Sequence, residues 1–197
     1  MLLLKAFAVA ALALHIGGST ASEVSVDAHT KVGPYAGQEQ RAIKSLGSAE
    51  VSALLSGEGA GMAKPAELNG YPGPAHSLEL AQGLGLSPSQ IDRSRLLMNQ
   101  HKVRARDLGA QVVAAERELD ELFASKQATE DAVDAAALRV GLLQASLRAE
   151  HLKTHIAQTA LLHPDQVRKY AELRGYMAGA TPSRTAPDAS GHHGRHH

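Results

Sequence analysis

The feature that most constrains this chain is a long stretch, residues 88–123, in which apolar and small side chains recur at alternating spacings of three and four. The positions are Ile91, Ser94, Met98, His101, Ala105, Leu108, Val112, Ala115, Leu119 and Leu122. Side chains at this spacing share one face of a helix, and a long seam of this kind is typical of helices that pack along their length. The pattern therefore predicts one helix of about 54 Å.

A helix-start signal precedes this stretch. In "LSPSQ" (residues 86–90), Ser87 can accept a hydrogen bond from the backbone of the first turn, and the glutamine three residues later can reach back to the cap. The same layout returns as "LHPDQ" (residues 162–166), where His163 is a poorer cap than serine. The helix-start residues of the two motifs are Leu86, Ser87, Gln90, Leu162 and Gln166.

A second long helix is predicted from Thr129 to about Leu162, and the short connection between the two indicates an antiparallel hairpin. Its predicted inner side comprises Val133, Val140, Leu143, Leu147, Leu152 and Ile156. Shorter helices are predicted at Glu39–Leu55, at about His76–Gly83 and at Pro164–Tyr176. With only 3% aromatic residues, the composition argues against a β-sandwich. The predicted fold class is all-α: a long helical hairpin with shorter flanking helices, forming a dimer.

The first residues predict export. An apolar run at residues 6–16 is followed by small residues at Ser19 and Ala21, which is typical of a signal peptide cleaved after Ala21. The run is short for a membrane span, although an uncleaved anchor is the alternative, because Lys5 makes a weak basic start. The predicted divisions are a signal peptide (1–21), a flexible segment (22–38), the helical domain (39–176) and a disordered, histidine-rich tail (177–197).

Composition and motifs exclude several classes of function. The 20 basic residues balance the 20 acidic residues, so there is no positive excess to attract nucleic acid. The chain has no cysteine, which removes disulfides, thiolate metal sites and thiol nucleophiles. Neither a phosphate-binding glycine loop nor a nucleophile elbow is present, so we do not expect an enzyme.

The two start motifs, which bracket a predicted hairpin after a signal peptide, resemble the paired LTxxQ signature of small exported helical proteins. That family includes Spy-, CpxP- and ZraP-like chaperones and CnrX-like heavy-metal sensors. The chain differs from the signature by Ser87 and His163 in place of threonine. The resemblance implies a periplasmic, curved helical dimer that holds unfolded envelope proteins, modulates a membrane sensor protein, or senses a metal.

Histidines are the candidate metal ligands. His151 and His155 are four residues apart on one predicted helix, and the resemblance implies that this pair binds metal. Neutral imidazole suits zinc, copper and nickel. Met98 and His101 would lie opposite the pair if the hairpin turns near residue 126. The tail adds candidates for metal capture: His192, His193, His196 and His197.

These histidines have a second interpretation. His151 and His155 can be solvated residues of an alanine-rich helix, and His101 can be a histidine at the edge of the core.

Taken together, the export signal, the paired start motifs and the candidate ligands predict a periplasmic metal-binding protein for stress or heavy-metal resistance, with holdase-type chaperone capacity. The alternative is a purely protein-binding chaperone or sensor modulator without a specific metal site.

Overall fold

The computed structural model describes residues 32–177, and the secondary structure of this range is entirely helical. Its six helices are α1 (Ser48–Ser56), α2 (Lys64–Glu67), α3 (Pro74–Glu79), α4 (Pro88–Ala124), α5 (Glu130–Thr159) and α6 (Pro164–Leu173). The predicted all-α class is thus confirmed for the described part of the chain. The predicted signal peptide and the four tail histidines lie outside the described residues. None of the described helices is long and apolar enough to cross a membrane.

Both long helices begin at the predicted caps. The hydroxyl of Ser87 accepts a hydrogen bond from the Gln90 backbone at 3.2 Å, and the Gln90 side chain accepts one from the Ser87 backbone at 3.0 Å. The Thr129 hydroxyl caps α5 by accepting from the Ala132 backbone at 3.3 Å. At α6 only one of the two corresponding hydrogen bonds is present: the Gln166 side chain accepts from the His163 backbone.

The shorter helices differ from their predicted limits. The helix predicted from Glu39 begins only at Ser48, since residues 39–45 form turns and bends and the Gly47 backbone is extended before the helix. α3 ends at Glu79 and α6 ends at Leu173, both earlier than predicted. After α6, Gly175 has a φ of +71°, which is a left-handed conformation that stops a helix at low cost.

Two apolar clusters hold the helices together. The first contains Ala105, Val112 and Leu147 and receives Leu54 from α1. The second lies near the start motifs and consists of the buried residues Leu84, Leu86, Leu162 and Tyr170. Between the clusters, the contact surface of α4 and α5 is polar.

Residue pairs across α4 and α5 run in opposite order along the two helices. Gln158, late in α5, donates to Ser94, early in α4, at 3.0 Å, and both side chains are fully buried. Near the other ends, Arg139 of α5 pairs with Glu118 of α4. The whole predicted seam of α4, from Ile91 to Leu122, is buried or half-buried.

The predicted inner side of α5 is wrong in its last turns. Ile156 is 57% exposed, and the buried line continues from Leu147 through His151, Thr154 and Gln158 instead. The physical reason is that the facing part of α4 is itself polar, so Gln158 and Thr154 gain hydrogen bonds to Ser94 and His101 there. The apolar side chains of these turns consequently lie on other faces of α5.

The two start motifs meet in space through their glutamines. The Gln90 amide donates to the Gln166 side-chain oxygen at 2.7 Å, and the Gln166 amide donates back at 3.1 Å. Gln90 also donates to the Leu161 carbonyl at the end of α5. This reciprocal pair joins the start of α4 to the start of α6, and thereby fixes one end of the polar layer.

Candidate metal-binding site

The polar layer between α4 and α5 contains a pair of histidines in contact. The rings of His101 and His151 are 4.5 Å apart between centroids and meet edge to face at 71°. Both side chains are buried, with 6% and 5% of their surface exposed. The Nε2 atom of His151 is buried without a hydrogen-bond partner. An unpartnered buried nitrogen is costly unless something else binds it.

Hydrogen bonds determine which nitrogen of His101 carries the proton. The Thr154 hydroxyl lies 2.9 Å from the Glu150 backbone carbonyl, to which it donates its only proton. The Nδ1 atom of His101, 3.0 Å from the same hydroxyl oxygen, must then be the donor. A neutral imidazole has one donor and one acceptor nitrogen, so Nε2 of His101 keeps its lone pair. Metal-binding histidines are commonly oriented by such a bond.

Electrostatics keep both rings neutral. Burial, together with the neighbouring His101, lowers the pKa of His151 to about 4. Burial also lowers the pKa of His101, although the hydrogen bond and charge of Glu150 oppose this effect. Glu150 in turn accepts a hydrogen bond from Arg104 at 2.8 Å. Neutral rings are the form of imidazole that binds a metal ion.

His155 has different neighbours from His151, although both line one cavity. Its Nδ1 atom donates to the Tyr71 carbonyl at 2.7 Å and lies 3.6 Å from a carboxylate oxygen of Glu67. The other side of the ring packs against Gly73, where an added Cβ would come within 2.7 Å of Nε2. The structure therefore pairs His151 with His101, and it directs His155 towards the segment between α2 and α3.

Glu67 is the centre of a second polar cluster. Its Oε1 atom accepts hydrogen bonds from the hydroxyls of Tyr170 and Tyr176 and lies 3.7 Å from Arg174. His76 lies 3.7 Å from the same oxygen. The Glu67 carboxylate thus fixes the chain that follows α6 against α2 and α3.

A cavity of about 660 Å³ joins the two clusters. The wall includes a glycine-rich segment, residues 56–61, together with Met98 one turn before His101. The wall also contains side chains of both clusters: His101, His151, Thr154, His155, Glu67 and Tyr176. Gly59 allows close packing, because a Cβ there would lie 3.3 Å from Nδ1 of His151.

The described residues supply few donors at any one point. No group of three or more histidine, aspartate or glutamate side chains in residues 32–177 is arranged to hold a metal ion. The structure brings His101 and His151 together and places Met98 and His155 on the wall of the same cavity. The other candidates, His192, His193, His196 and His197, lie beyond the described residues.

Comparison with known families places these observations in context. The sequence model of a family described as heavy-metal resistance matches residues 46–169, which is more than half of the chain. The chain belongs to the heavy-metal resistance family. The resemblance inferred from the paired start motifs is thereby confirmed, since that family is part of the LTxxQ group. No curated protein and no solved structure matches the chain.

The heavy-metal resistance match spans α1 to most of α6 and contains both start motifs, the His101–His151 pair and His155. Sequence reasoning missed two contributors to the site, namely Glu67 and Thr154. Thr154 lies one turn before Gln158 on the same polar line. A search for polar residues at the spacing of the inner seam would have found Thr154. Glu67 had no such signal, because it lies in a short helix whose placement depends on tertiary packing.

Proposed function

We propose that this protein is a periplasmic metal-binding protein that acts in heavy-metal tolerance and has holdase-type chaperone capacity. The observation that carries the metal-binding part is the His101–His151 pair, whose rings are buried, neutral and in contact. The partnerless Nε2 atom of His151 and the lone pair on Nε2 of His101 are donors of the type that zinc, copper and nickel accept. Membership of the heavy-metal resistance family supports the same assignment.

Metal would bind the folded protein and not the unfolded chain, because the two histidines are 50 residues apart in sequence and meet only in the fold. Binding should therefore stabilise the protein by about 2.7 kcal/mol when the free metal is a hundred times the dissociation constant. Thermal unfolding with zinc, copper or nickel at pH 7.5 and 5.5 tests this. Because burial keeps the imidazole of His151 neutral in the fold until the pH nears its lowered pKa of about 4, the stabilisation by metal should persist at pH 5.5 and fade only as the pH approaches 4.

Matched variants test whether the stabilisation by metal comes from the His101–His151 pair. His151→Gln and, separately, His101→Gln should remove most of the stabilisation by metal, whereas His163→Gln should leave it unchanged because that side chain is exposed at the start of α6. The tail histidines are replaced by glutamine in all these proteins, so that they do not contribute. If no metal raises the unfolding temperature at pH 7.5, the metal-binding proposal is wrong.

A second component of the proposal is a homodimer in which α4 and α5 of each chain form an antiparallel hairpin. The supporting observation is an apolar line on the outside of α5, with Leu138, Leu142 and Ile156 each more than half exposed. A cavity of about 330 Å³ lies beside Leu138 and Leu142. Large exposed apolar patches usually mark a binding surface.

Holdase capacity is assigned to a different surface, on the outside of α4. Leu96 and Val103 lie two turns apart there and are 57% and 69% exposed. Five basic residues of the same helix lie within three positions of one or the other: Arg93, Arg95, Lys102, Arg104 and Arg106. A surface that combines apolar contacts with positive charge suits unfolded segments that carry acidic residues. This surface also supports the alternative function, a protein-binding module in which the histidines pack in the core and bind no metal.

A further inference from the structure

The Nε2 atom of His151 is buried, although the ring borders the cavity. A metal ion can therefore reach this nitrogen only if part of its surroundings moves. The ring contacts His101 of the long helix α4. It also lies against Gly59, where a Cβ would come within 3.3 Å of Nδ1 and 3.4 Å of Cε1. Access to Nε2 thus depends on which of these two neighbours moves at the lower cost.

Gly59 belongs to a short segment between α1 and α2, residues 57–61 ("GEGAG"). Within the described structure, every hydrogen bond of this segment is to a residue between 53 and 64. Apart from Glu58, which is exposed, its residues have no side chain larger than a methyl group. Moving α4 would instead pull Ala105 and Val112 out of the first apolar cluster. The segment is the cheaper part to move, because it has only local hydrogen bonds and few buried apolar contacts.

The chain on either side of the segment is anchored. The Ser56 carbonyl accepts a hydrogen bond from Arg106 of α4 at 3.2 Å. Met62 packs against the first apolar cluster. Residues 57–61 can therefore change conformation while their two ends stay in place.

The backbone of the segment is left-handed at three positions. Gly57 and Gly61 have φ angles of +73° and +80°, which glycine adopts at low cost. Ala60 has a φ of +40°, and this region is unfavourable for a residue with a Cβ. A single change between glycine and alanine should therefore stabilise or destabilise the conformation that covers His151.

We infer that residues 57–61 form a lid over His151, which opens to admit a zinc, copper or nickel ion to the His101–His151 pair. The part that concerns metal entry rests on the proposed metal binding by the pair. The closed lid keeps Nε2 of His151 away from an ion in the cavity, and the open lid exposes it. The lid thus sets the rate at which metal enters, whereas the histidines bind it.

Two variants shift the lid in opposite directions, and each has a matched control. Gly61→Ala strains the closed lid without a clash, because a Cβ there meets nothing nearer than Lys64 at 3.9 Å. Its control is Gly85→Ala, at a φ of +60° with nothing within 4 Å and outside the cavity wall. Ala60→Gly relieves strain in the closed lid. Its control is Lys126→Gly, at a φ of +61° between α4 and α5.

Modification by diethyl pyrocarbonate measures access to His151 without any metal. The reagent acylates accessible neutral imidazole, and peptide mass spectrometry follows each histidine separately, with the exposed His163 as a check on the reagent. Modification of His151 should be about five- to thirtyfold faster in Gly61→Ala, the factor that corresponds to the steric cost of a left-handed alanine. It should be several times slower in Ala60→Gly and unchanged in both controls.

Two results of this experiment would overturn the lid. One is an equal rate of His151 modification in all five proteins. The other is an increase in Gly85→Ala as large as that in Gly61→Ala, because exposure of His151 would then follow overall stability and not the lid. Circular dichroism establishes that each variant folds.

Stopped-flow absorption with cobalt measures the entry of a metal ion, in proteins whose four tail histidines are replaced by glutamine. The binding rate should level off as the cobalt concentration rises, because opening of the lid becomes limiting, and this plateau should be higher in Gly61→Ala. A rate that rises linearly and is the same in Gly61→Ala would overturn the lid but leave metal binding by the pair intact. Absence of cobalt, zinc, copper and nickel binding would overturn the proposed function and metal entry, whereas the His151 modification rates would still report the movement of the lid.

Discussion

Two glycines in the middle of the long helices show that the effect of an added methyl group on stability depends on its surroundings. Gly109 of α4 is buried against α1, and a Cβ built there would lie 2.0 Å from the Leu54 carbonyl oxygen. Gly141 of α5 is exposed, and a Cβ there would meet nothing within 4 Å. The same substitution should therefore have opposite signs at the two positions.

Gly109→Ala should lower the free energy of unfolding by about 1–3 kcal/mol, because backbone atoms of α1 would have to move. Gly141→Ala should raise it by about 0.5–1 kcal/mol, since alanine is the better helix former. Urea unfolding of the two variants gives both values. A neutral result for Gly109→Ala would mean that α1 does not lie against α4 at this point.

The burial of His151 predicts how the stability of the metal-free protein changes as the pH falls. Because the pKa of His151 is lowered to about 4 in the fold, the unfolded chain takes up a proton first as the pH falls below about 6.5. The metal-free protein should therefore lose stability between pH 6.5 and 4, by on the order of 3 kcal/mol from this residue. Above pH 6.5 His151 is neutral in both the folded and the unfolded chain, so its titration no longer changes the stability.

The measurement is urea unfolding in chelator at several pH values. His151→Gln should flatten the decline between pH 6.5 and 4, whereas His163→Gln should leave its slope unchanged, because the side chain of His163 is exposed. Equal slopes for the unchanged chain and His151→Gln would contradict the burial of a neutral imidazole at this position.

At the scale of helices, the two start motifs should differ in strength. Ser87→Ala removes the hydroxyl that accepts from the Gln90 backbone and should cost about 0.5–2 kcal/mol. His163→Ala should cost much less, because only the Gln166 side chain and the His163 backbone take part in the hydrogen bond there. Urea unfolding of both variants tests the difference. Similar losses would show that the His163 side chain makes a stabilising contact.

The same helices show what the sequence could predict and what it could not. Caps and apolar spacing are local, so the start of α4 at Pro88 and the start of α5 after Thr129 were predictable. The reciprocal bond between Gln90 and Gln166 joins residues 76 apart and required the fold. The inner side of α5 was misassigned at Ile156 because that helix has apolar residues on more than one face. Only the polar partners on α4 decide which face is buried.

The candidate site likewise has features that the sequence predicted and features that it could not predict. Side-chain type identified the histidines as candidates, and the spacing in the predicted hairpin placed Met98 and His101 near the second helix. His151 contacts His101 and not His155 because of the directions in which the side chains point. Two histidines four residues apart share a face only approximately, and the Tyr71 carbonyl draws His155 to its own side. Tertiary contacts of this kind leave no pattern in the sequence.

For the whole molecule, the outer line of α5 predicts how two copies associate. Its positions are Leu138, Leu142, Ala145, Ala149, Leu152 and Ile156, at spacings of four, three, four, three and four. Ala149 and Leu152 are half-buried and the other four are exposed, so Leu152, like Ile156, lies off the buried line of α5 on which it was predicted. This order of spacings and of large and small side chains reads the same in both directions. An antiparallel copy of α5 would therefore place large residues against large ones and alanine against alanine, as a two-fold symmetric interface requires.

Leu138→Gln combined with Leu142→Gln should convert a dimer to a monomer in sedimentation experiments, because two exposed leucines would no longer gain from burial against the second copy. Leu96→Gln combined with Val103→Gln on α4 is the matched control. It should remain a dimer but protect unfolded clients from aggregation less well. A monomeric unchanged chain would contradict the dimer, and loss of client protection in the α5 variant would then assign the outer line of α5 to clients.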